Sequence, residues 1–497
     1  MMKLKSDVMV VGGGPVGLVL ACELRLAGLD VVLLERRDER IRDSRALGMH
    51  ARTVETLALR GLAPRFVENG RPFGQAHYGA LETRLDMSVL DTAHPYQLVI
   101  PQSKTEQLLE ERALELGVRL HRGALAEEVW QDEHTACVSG RIGEERFEAV
   151  ARFVVGADGG RSLVRRQAGI DFIGHDASVT SILGDVRLGA ELPAPALMKA
   201  NAEGVLFIVP LGDGVHHRLI VIDARRCRTP VSEPVTLEEL SEGAARIAGT
   251  DYLPSQPQWL SRFSDETRHA SHYRKGRILL AGDAAHIHMP AGGQGMNVGI
   301  QDAFNLGWKL ASVVKGEAPA ALLDTYHQER WPLGEQLMKN TMAQTTLLTA
   351  FDERGMALRA ALSDLLLQPE ANRQLAMQIS GLGIGYPAAL AEPAGATLPT
   401  WTGRRIPDWQ LELGDGTQTG LHGLMHGGEW LYLRLRDDAP LSVACPGRLR
   451  TVRASLPGPQ QPGEDRPPAH SSLAACRADN PAALLIRPDG YADHALA

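Results

Sequence analysis

The chain has 497 residues, 44% hydrophobic and 23% charged, with a formal net charge of −8; that suits two or three domains with ordinary cores. The acidic balance argues against a nucleic-acid or anionic-membrane partner, which would favour a basic face, and no apolar run approaches the roughly 20 residues that span a bilayer. The five cysteines (Cys22, Cys137, Cys227, Cys445 and Cys476) show no CxxC spacing, and a strand starts within a few residues of Met1 without a signal-peptide pattern, so a reduced, cytoplasmic protein acting on a small molecule is expected.

In chain order, residues 7–11 form a short β-branched run ending in GGGPVG at 12–17. From Val16, apolar residues recur at helical spacing through Leu20, Leu24 and Ala27 toward Gly28, a C-cap residue. Residues 30–34 read as a second buried strand, completing a βαβ unit in a mostly parallel sheet with helices on it. Ser103 and Glu106 predict an N-cap and its capping-box partner for a helix over 103–116. A strand over 147–157 runs into DGGRS, where Arg161, Arg165 and Arg166 read as solvated or ion-paired arginines. Between 177 and 270 the pattern changes. Strands at 205–210 and 218–223 flank Gly-Asp-Gly, a hairpin signal, and the stretch reads as a separate inserted sheet. The first pattern then returns, with a strand at 277–281, a Gly-rich loop and a long helix over 295–314. A helical region fills 319–380 and a Gly- and Pro-rich linker 381–399. Short strands follow at 430–435, 441–444 and 483–487, with an exposed Pro- and Gln-rich loop at 456–470.

The first loop carries the strongest local signal. Gly12 allows a tight turn, Gly14 lets a pyrophosphate approach backbone, and Gly17 permits close helix–strand packing. The helix after it, from about Val16, offers unpaired N–H groups to phosphate. Glu35 stands 18 residues after Gly17, where a carboxylate accepts hydrogen bonds from a ribose diol. These residues specify an ADP moiety and leave FAD and NAD open.

Further blocks carry a resemblance. GGGPVG with Glu35, SRALGMHART at 44–53, IPQ at 100–102, DGGRSLVRR at 158–166 and AGDAAHIHMPAGGQGMNVGIQDAFNLGWKL at 281–310 together resemble the single-component FAD-dependent aromatic hydroxylases. The resemblance implies an α/β fold: a Rossmann-like FAD-binding domain with an inserted β-sheet substrate domain and a C-terminal thioredoxin-like domain. The boundaries expected are 1–176 and 271–390 for the two parts of the FAD-binding domain, 177–270 for the sheet and 398–497 for the last domain. It implies that Asp283 meets the ribityl chain. Pro290, Gly293 and Gly295 would shape the loop along the flavin ring, and Met296 and Asn297 would aim their amides at its pyrimidine edge. Asp158 and Gly159 resemble a motif serving both FAD and nicotinamide cofactor. Arg45 and Gln102 are similar to flavin-side polar contacts, Arg36 to a residue over the adenine, and Ala126 to a backbone contact there. The boxes at 403–407 and 487–490 resemble those of the polyketide-hydroxylase branch, whose last domain here lacks CxxC and is expected to be structural or associative.

The implied reaction consumes NADPH or NADH and O₂ and oxygenates a polycyclic aromatic of polyketide type through a flavin C4a-hydroperoxide. There is no second nucleotide fold for the nicotinamide, no metal site, and no residue singled out as a catalytic base among His50, His77, His94, His286 and His288. The substrate is expected against 177–270 and the loops at 45–50 and 74–97, with no stacking platform evident at 5% aromatic content. Open alternatives are an antibiotic-inactivating monooxygenase of rifamycin or tetracycline type, a Baeyer–Villiger oxygenase, a flavin reductase, and a non-oxygenating flavin-binding assembly partner. Leu47 stands where the rifampicin group carries a second arginine, which counts against that branch. A homodimer is left open.

Overall fold

The computed structural model describes residues 1–40, 44–387, 401–439, 444–456 and 471–496. Its largest sheet has eight strands. The order Arg274–Lys275, Ile278–Leu280, Glu145–Gly156, Met2–Val11, Val31–Glu35, Arg119–Arg122 forms the main path, and Ala136–Ile142 and Ala124–Gln131 add an antiparallel flap. The four pairings from Ile278–Leu280 to Arg119–Arg122 are parallel. Their strands are apolar on both faces, with Val8, Met9, Val10, Val31, Val32 and Leu33 fully buried, as a sheet covered by helices requires. Helices Pro15–Leu26 and Gly295–Lys315 pack together at glycines. A Cβ on Gly299 would lie 2.6 Å from Val16, and one on Gly307 2.7 Å from Glu23.

A second, antiparallel sheet runs Leu197–Asn201, Gly204–Pro210, His216–Asp223, Thr180–Arg187, Ser255–Ser264. The hairpin at Gly-Asp-Gly joins the second and third of these strands. Strand alternation divides the side chains between two buried faces. Leu206, Ile208, Leu219 and Val221 pack on helix Leu237–Ala248. Val205, Phe207 and Ile222 point the other way, against Met289 and Ala291 of the Gly-rich loop. Helices Asp324–Leu348, Glu353–Leu365 and Pro369–Ser380 follow. A six-stranded sheet closes the chain, ordered Gln418–Gly420, Gln410–Leu413, Leu449–Ser455, Trp430–Arg434, Ala483–Ile486, Ala492–Leu496.

Three sequence expectations change. Helix Gln102–Glu115 begins one residue before Ser103, capped by Pro101, whose φ of −58° already suits a helix start. Glu106 therefore bonds the Gln102 amide at 2.8 Å rather than closing a capping box. Arg165 is buried, not solvated or ion-paired. It donates to the carbonyls of Ala284 and Gly160, each at 2.8 Å, and covers the Phe172 ring. The strand expected at 441–444 and most of the segments at 381–399 and 456–470 lie outside the described residues. All five cysteines are unpaired.

Candidate active site

The glycines of the first loop do different work. Gly12 has φ +111°, and a Cβ there would lie 2.2 Å from the Ala157 carbonyl oxygen; one on Gly17 would lie 1.9 Å from Gly12 O. Both positions are closed to a side chain by the protein itself. A Cβ on Gly14 would meet nothing within 4 Å. Gly14 is the N-cap of helix Pro15–Leu26 and gives it no side-chain cap, so the first N–H groups point into open space. Glu35 is buried beneath the loop and accepts from Gly13 N at 2.7 Å and Arg37 N at 3.0 Å. Arg36 beside it is exposed.

Three other segments converge on this loop. The Asp158 backbone sits against Gly12. Its Oδ2 accepts from Leu163 N at 2.7 Å and Val164 N at 3.2 Å, while Oδ1 is buried and has no protein partner. Burial pushes the Asp158 pKa up. Gly159, at φ +81°, also faces open space. Val16 touches Gly282, which brings Asp283 beside the helix start. The Asp283 side chain is open to the cleft and no side chain among the described residues bonds to it. Burial of the site raises its pKa against the pull of His286 and Arg45. Gly292 and Gly293 both have φ near +70°, and the 3-10 turn they form follows exposed Pro290. Gly295 starts the long helix, and a Cβ there would lie 3.5 Å from His288 Nε2 and 4.0 Å from Asp283 Oδ1. This helix too lacks a side-chain cap, and half-buried Met296 lies in its first turn.

Two residues expected beside the flavin use their side chains inside the protein. The Asn297 side chain accepts from His50 N at 2.8 Å and Thr53 Oγ1 at 2.7 Å, and donates to Gly48 O at 3.1 Å and Gly293 O at 2.8 Å. It ties the segment after Arg45 to the helix start; only its backbone amide is left for a ligand. Gln102 accepts from Ala46 N at 2.9 Å and donates to Glu106, fixing the same segment from the other side. Arg45 itself is exposed, and its carbonyl is held by Arg218 at 2.9 Å; Arg218 pairs with Asp185 at 2.7 Å. Ala126 lies on the flap, opposite Gly140.

Beyond the Gly-rich loop an apolar cluster joins it to the inserted sheet. Met289, Ala291, Ala80, Val205, Ile222 and Leu348 form its buried part, with partly buried Phe207, Phe263 and Phe351 packed against them; the space beside it is the candidate substrate chamber. The His77 ring packs 4.8 Å from Phe207, centroid to centroid. Four rings are therefore gathered here from distant segments, so overall aromatic content carried no sign of them. The chamber wall at Gly79–Ala80 has φ of +53° and +52°. Buried Arg359 holds it by donating to both carbonyls, to Gly79 O at 2.9 Å.

Burial holds the nearby histidines neutral: His50, His77 and His288 are each lowered to about 4. His50 Nε2 donates to Gly292 O at 2.9 Å, and His288 Nδ1 to Met289 O at 2.7 Å. His288 Nε2 is thereby left as the acceptor facing Gly295. His286 is buried and paired with Asp302 at 2.8 Å, which also meets Arg330 at 2.7 Å. It serves packing rather than the cleft. His94 bonds Tyr96 at 2.9 Å, outside this group. Among the described residues no cluster could hold a metal ion and no helix is long and apolar enough to cross a membrane.

Residues 5–341 match the family described as FAD binding domain, and residues 399–496 the family described as aromatic-ring hydroxylase, C-terminal. The chain belongs to the FAD-dependent aromatic-ring hydroxylases. It is 45% identical to the uncharacterized aromatic compound monooxygenase YhjG of Bacillus subtilis, over 99% of this chain and 94% of that one. It is 41% identical to a rifampicin monooxygenase of Streptomyces venezuelae, over 98% and 94%. The solved anhydrotetracycline hydroxylase OxyS of Streptomyces rimosus superposes with a TM-score of 0.85 at 39% identity, covering 99% of this chain and 96% of that one.

The residues present fit the cofactor of this hydroxylase family. An uncapped helix start with open space at Gly14 suits a pyrophosphate. The unpartnered Asp158 Oδ1 and Asp283 carboxylate are acceptors for hydroxyl or amide donors. Gly293 and Gly295, where a Cβ would meet nothing closer than 3.5 Å, leave a side-chain-free surface between them and the chamber.

Proposed function

We propose that this FAD-dependent monooxygenase consumes NADPH or NADH and oxygenates a polycyclic aromatic substrate of polyketide type lying in the chamber between the Gly-rich loop and the inserted sheet. The observation that carries the reading is the apolar cluster, with its partly buried Phe rings, that packs directly on the loop that begins at Asp283. In this reading residues 1–176 and 271–390 form the FAD-binding domain, 177–270 the substrate domain and 398–497 a thioredoxin-like domain. Gly14, Val16, Glu35, Arg36, Arg45, Asp158, Gly159, Asp283, Pro290, Gly293, Gly295 and Met296 hold FAD. Gln102 and the Asn297 side chain act one step back, by fixing the segment around Arg45. The action is assigned to the cytoplasm.

Bound FAD supplies hydride acceptance and oxygen activation. The protein's own part is placement and dryness. Met289, Ala291, Phe207 and Phe263 exclude water from the reacting region. The bare start of helix Gly295–Lys315 directs backbone N–H groups and a partial positive charge toward developing negative charge. Burial keeps His50 and His288 neutral, their carbonyl partners fix the tautomer, and His288 Nε2 is left to accept a hydrogen bond from a substrate hydroxyl.

A second reading, inactivation of a rifamycin, is favoured by the 41% identity to the rifampicin monooxygenase. One experiment separates the two. The purified holoenzyme is supplied with NADPH, O₂ and a panel of tetracyclic quinones and rifamycins, and products are weighed by mass spectrometry. Gain of one oxygen by the quinones, with NADPH oxidation accelerated by the same compounds, supports the polyketide reading. Gain with rifamycins alone establishes the second, and gain with neither sinks both.

A further inference from the structure

Beside this apolar cluster Arg84 is a cation with no oxygen partner among the described residues. Arg84 lies in the loop between His77 and strand Gln97–Val99, and its backbone is pinned. Its carbonyl accepts from Asn372 Nδ2 at 2.8 Å, and Asp86 N donates to Asn372 Oδ1 at 2.8 Å. The half-buried guanidinium ends 2.6 Å from Met198 Sδ, and a thioether is a weak acceptor. Met198 is on strand Leu197–Asn201 and packs on the chamber wall. Arg84 also lies close enough to His77, the ring against Phe207, to lower that imidazole's pKa.

The other buried arginines reach oxygen. Arg52, Arg60, Arg218, Arg330 and Arg487 each meet a carboxylate. Arg165 and Arg359 meet carbonyl oxygens. Arg84 alone in this comparison faces sulfur, and its own pKa is lowered by burial. A partly desolvated guanidinium with five donors and no oxygen acceptor costs free energy until an anion arrives. Its planar fork matches an oxyanion or carboxylate.

We propose that Arg84 is a specificity-determining residue that pairs with an acidic oxygen of the substrate, a carboxylate or an ionised enol or phenol, while the substrate rings lie against Phe207. The inference rests on the chamber being the substrate site of the proposed oxygenase. It narrows the substrate to polycyclic aromatics that carry negative charge where they reach Arg84.

The test uses the FAD-loaded enzyme and two probes of matched shape, anthraquinone-2-carboxylate and 2-methylanthraquinone. Equilibrium dialysis gives their affinities for wild type, Arg84→Met and Arg84→Lys, with circular dichroism and FAD content checking the fold. The wild type is expected to favour the carboxylate by roughly ten- to a hundredfold, the range of a charged hydrogen bond. Arg84→Met removes that preference while leaving the methyl compound within about threefold, and Arg84→Lys keeps part of it. A wild type that binds both equally, or neither, overturns the proposal, as does an equal loss of both probes in Arg84→Met. Oxygen gain by the probes is measured separately. An Arg84-dependent preference with no oxygenated product supports the role of Arg84 and counts against the oxygenase reading.

Discussion

Two glycines three residues apart separate fold from function at the first loop. A methyl on Gly17 would enter the Gly12 carbonyl, whereas a methyl on Gly14 would meet nothing, and Gly14 has an ordinary φ of −74°. Gly17→Ala is therefore expected to destabilise the apoprotein by about 1–3 kcal/mol through overpacking. Gly14→Ala is expected to leave apoprotein melting unchanged and to weaken FAD binding. Melting curves of the apoproteins with FAD titrations check the pair; equal loss of stability in both variants contradicts the assignment. Asp283 is the second case. Its carboxylate bonds to no side chain among the described residues, so Asp283→Ala removes nothing from the fold. It is expected to raise the FAD dissociation constant about ten- to a hundredfold, equivalent to a charged hydrogen bond of roughly 1.5–3 kcal/mol. Unchanged FAD content after purification contradicts the role.

At the scale of elements, the boxes at 403–407 and 487–490 prove to be the seam between the last sheet and the rest of the protein. Arg405 reaches Glu55 at 2.7 Å, and Arg487 reaches Glu329 at 2.9 Å, while Arg52 and Arg60 donate to the carbonyls of Asp489 and Pro488. Glu329 lies on helix Asp324–Leu348 and also pairs with Lys309 of the long helix at 2.8 Å. Glu329 thus meets two buried cations on separate elements, and Asp489 shares Arg487 with it at 2.7 Å. Glu329→Gln is expected to cost about 3–5 kcal/mol, as when one member of a buried pair is removed. Glu335→Gln on the same helix, whose pair with Lys339 is exposed, should cost less than about 1 kcal/mol. Comparable shifts in denaturation midpoint for the two would contradict this. The seam also marks the limit of what the sequence made legible. Positive φ and sub-van-der-Waals approaches restrict residue type, so Gly12, Gly17 and Gly292 announce their loops. The apolar cluster at the Gly-rich loop announces nothing, because strand Gly204–Pro210 is apolar on both faces and alternation cannot tell Phe207, facing Met289 and Ala291, from Leu206 and Ile208, facing a helix. Asn297 and Gln102 were legible as site residues but not as braces, since the partners of an amide depend on segments far away in the chain.

Across the whole molecule, burial of neutral imidazoles ties the cleft to stability. His50, His77, His269 and His288 each fall to about 4 from an ordinary 6.5, with burial the leading cause in every case. Arg84 and His50 add to the effect at His77, and His286 and His327 at His269. The carbonyls bonded by His50 and His288, and Asp302 near His269, favour the proton but do not offset burial. The unfolded chain therefore binds protons that the folded chain refuses between about pH 4 and pH 6.5. Stability from these four groups is complete above about pH 6.5 and is lost as the pH falls toward 4. For His50 the loss approaches an order of 3 kcal/mol, at about 1.4 kcal/mol per pH unit. Glu329, lowered to about 2 chiefly by Arg487 against the opposing effect of burial, acts in the same direction at lower pH. Its contribution is present above about 4.5 and is lost as the pH falls toward 2. Acid unfolding should accordingly start near pH 6, above the range where carboxylates titrate, and His50→Gln should make the decline between pH 6.5 and 5 shallower. Denaturant titrations of the apoprotein at pH 7.5, 6.5, 5.5 and 5 check this, because the three cleft histidines sit beside the FAD loops and bound cofactor would shift their own protonation. A stability that stays level down to pH 5 would mean that these imidazoles accept protons without leaving their places, and the chamber would then be wetter than its apolar wall implies.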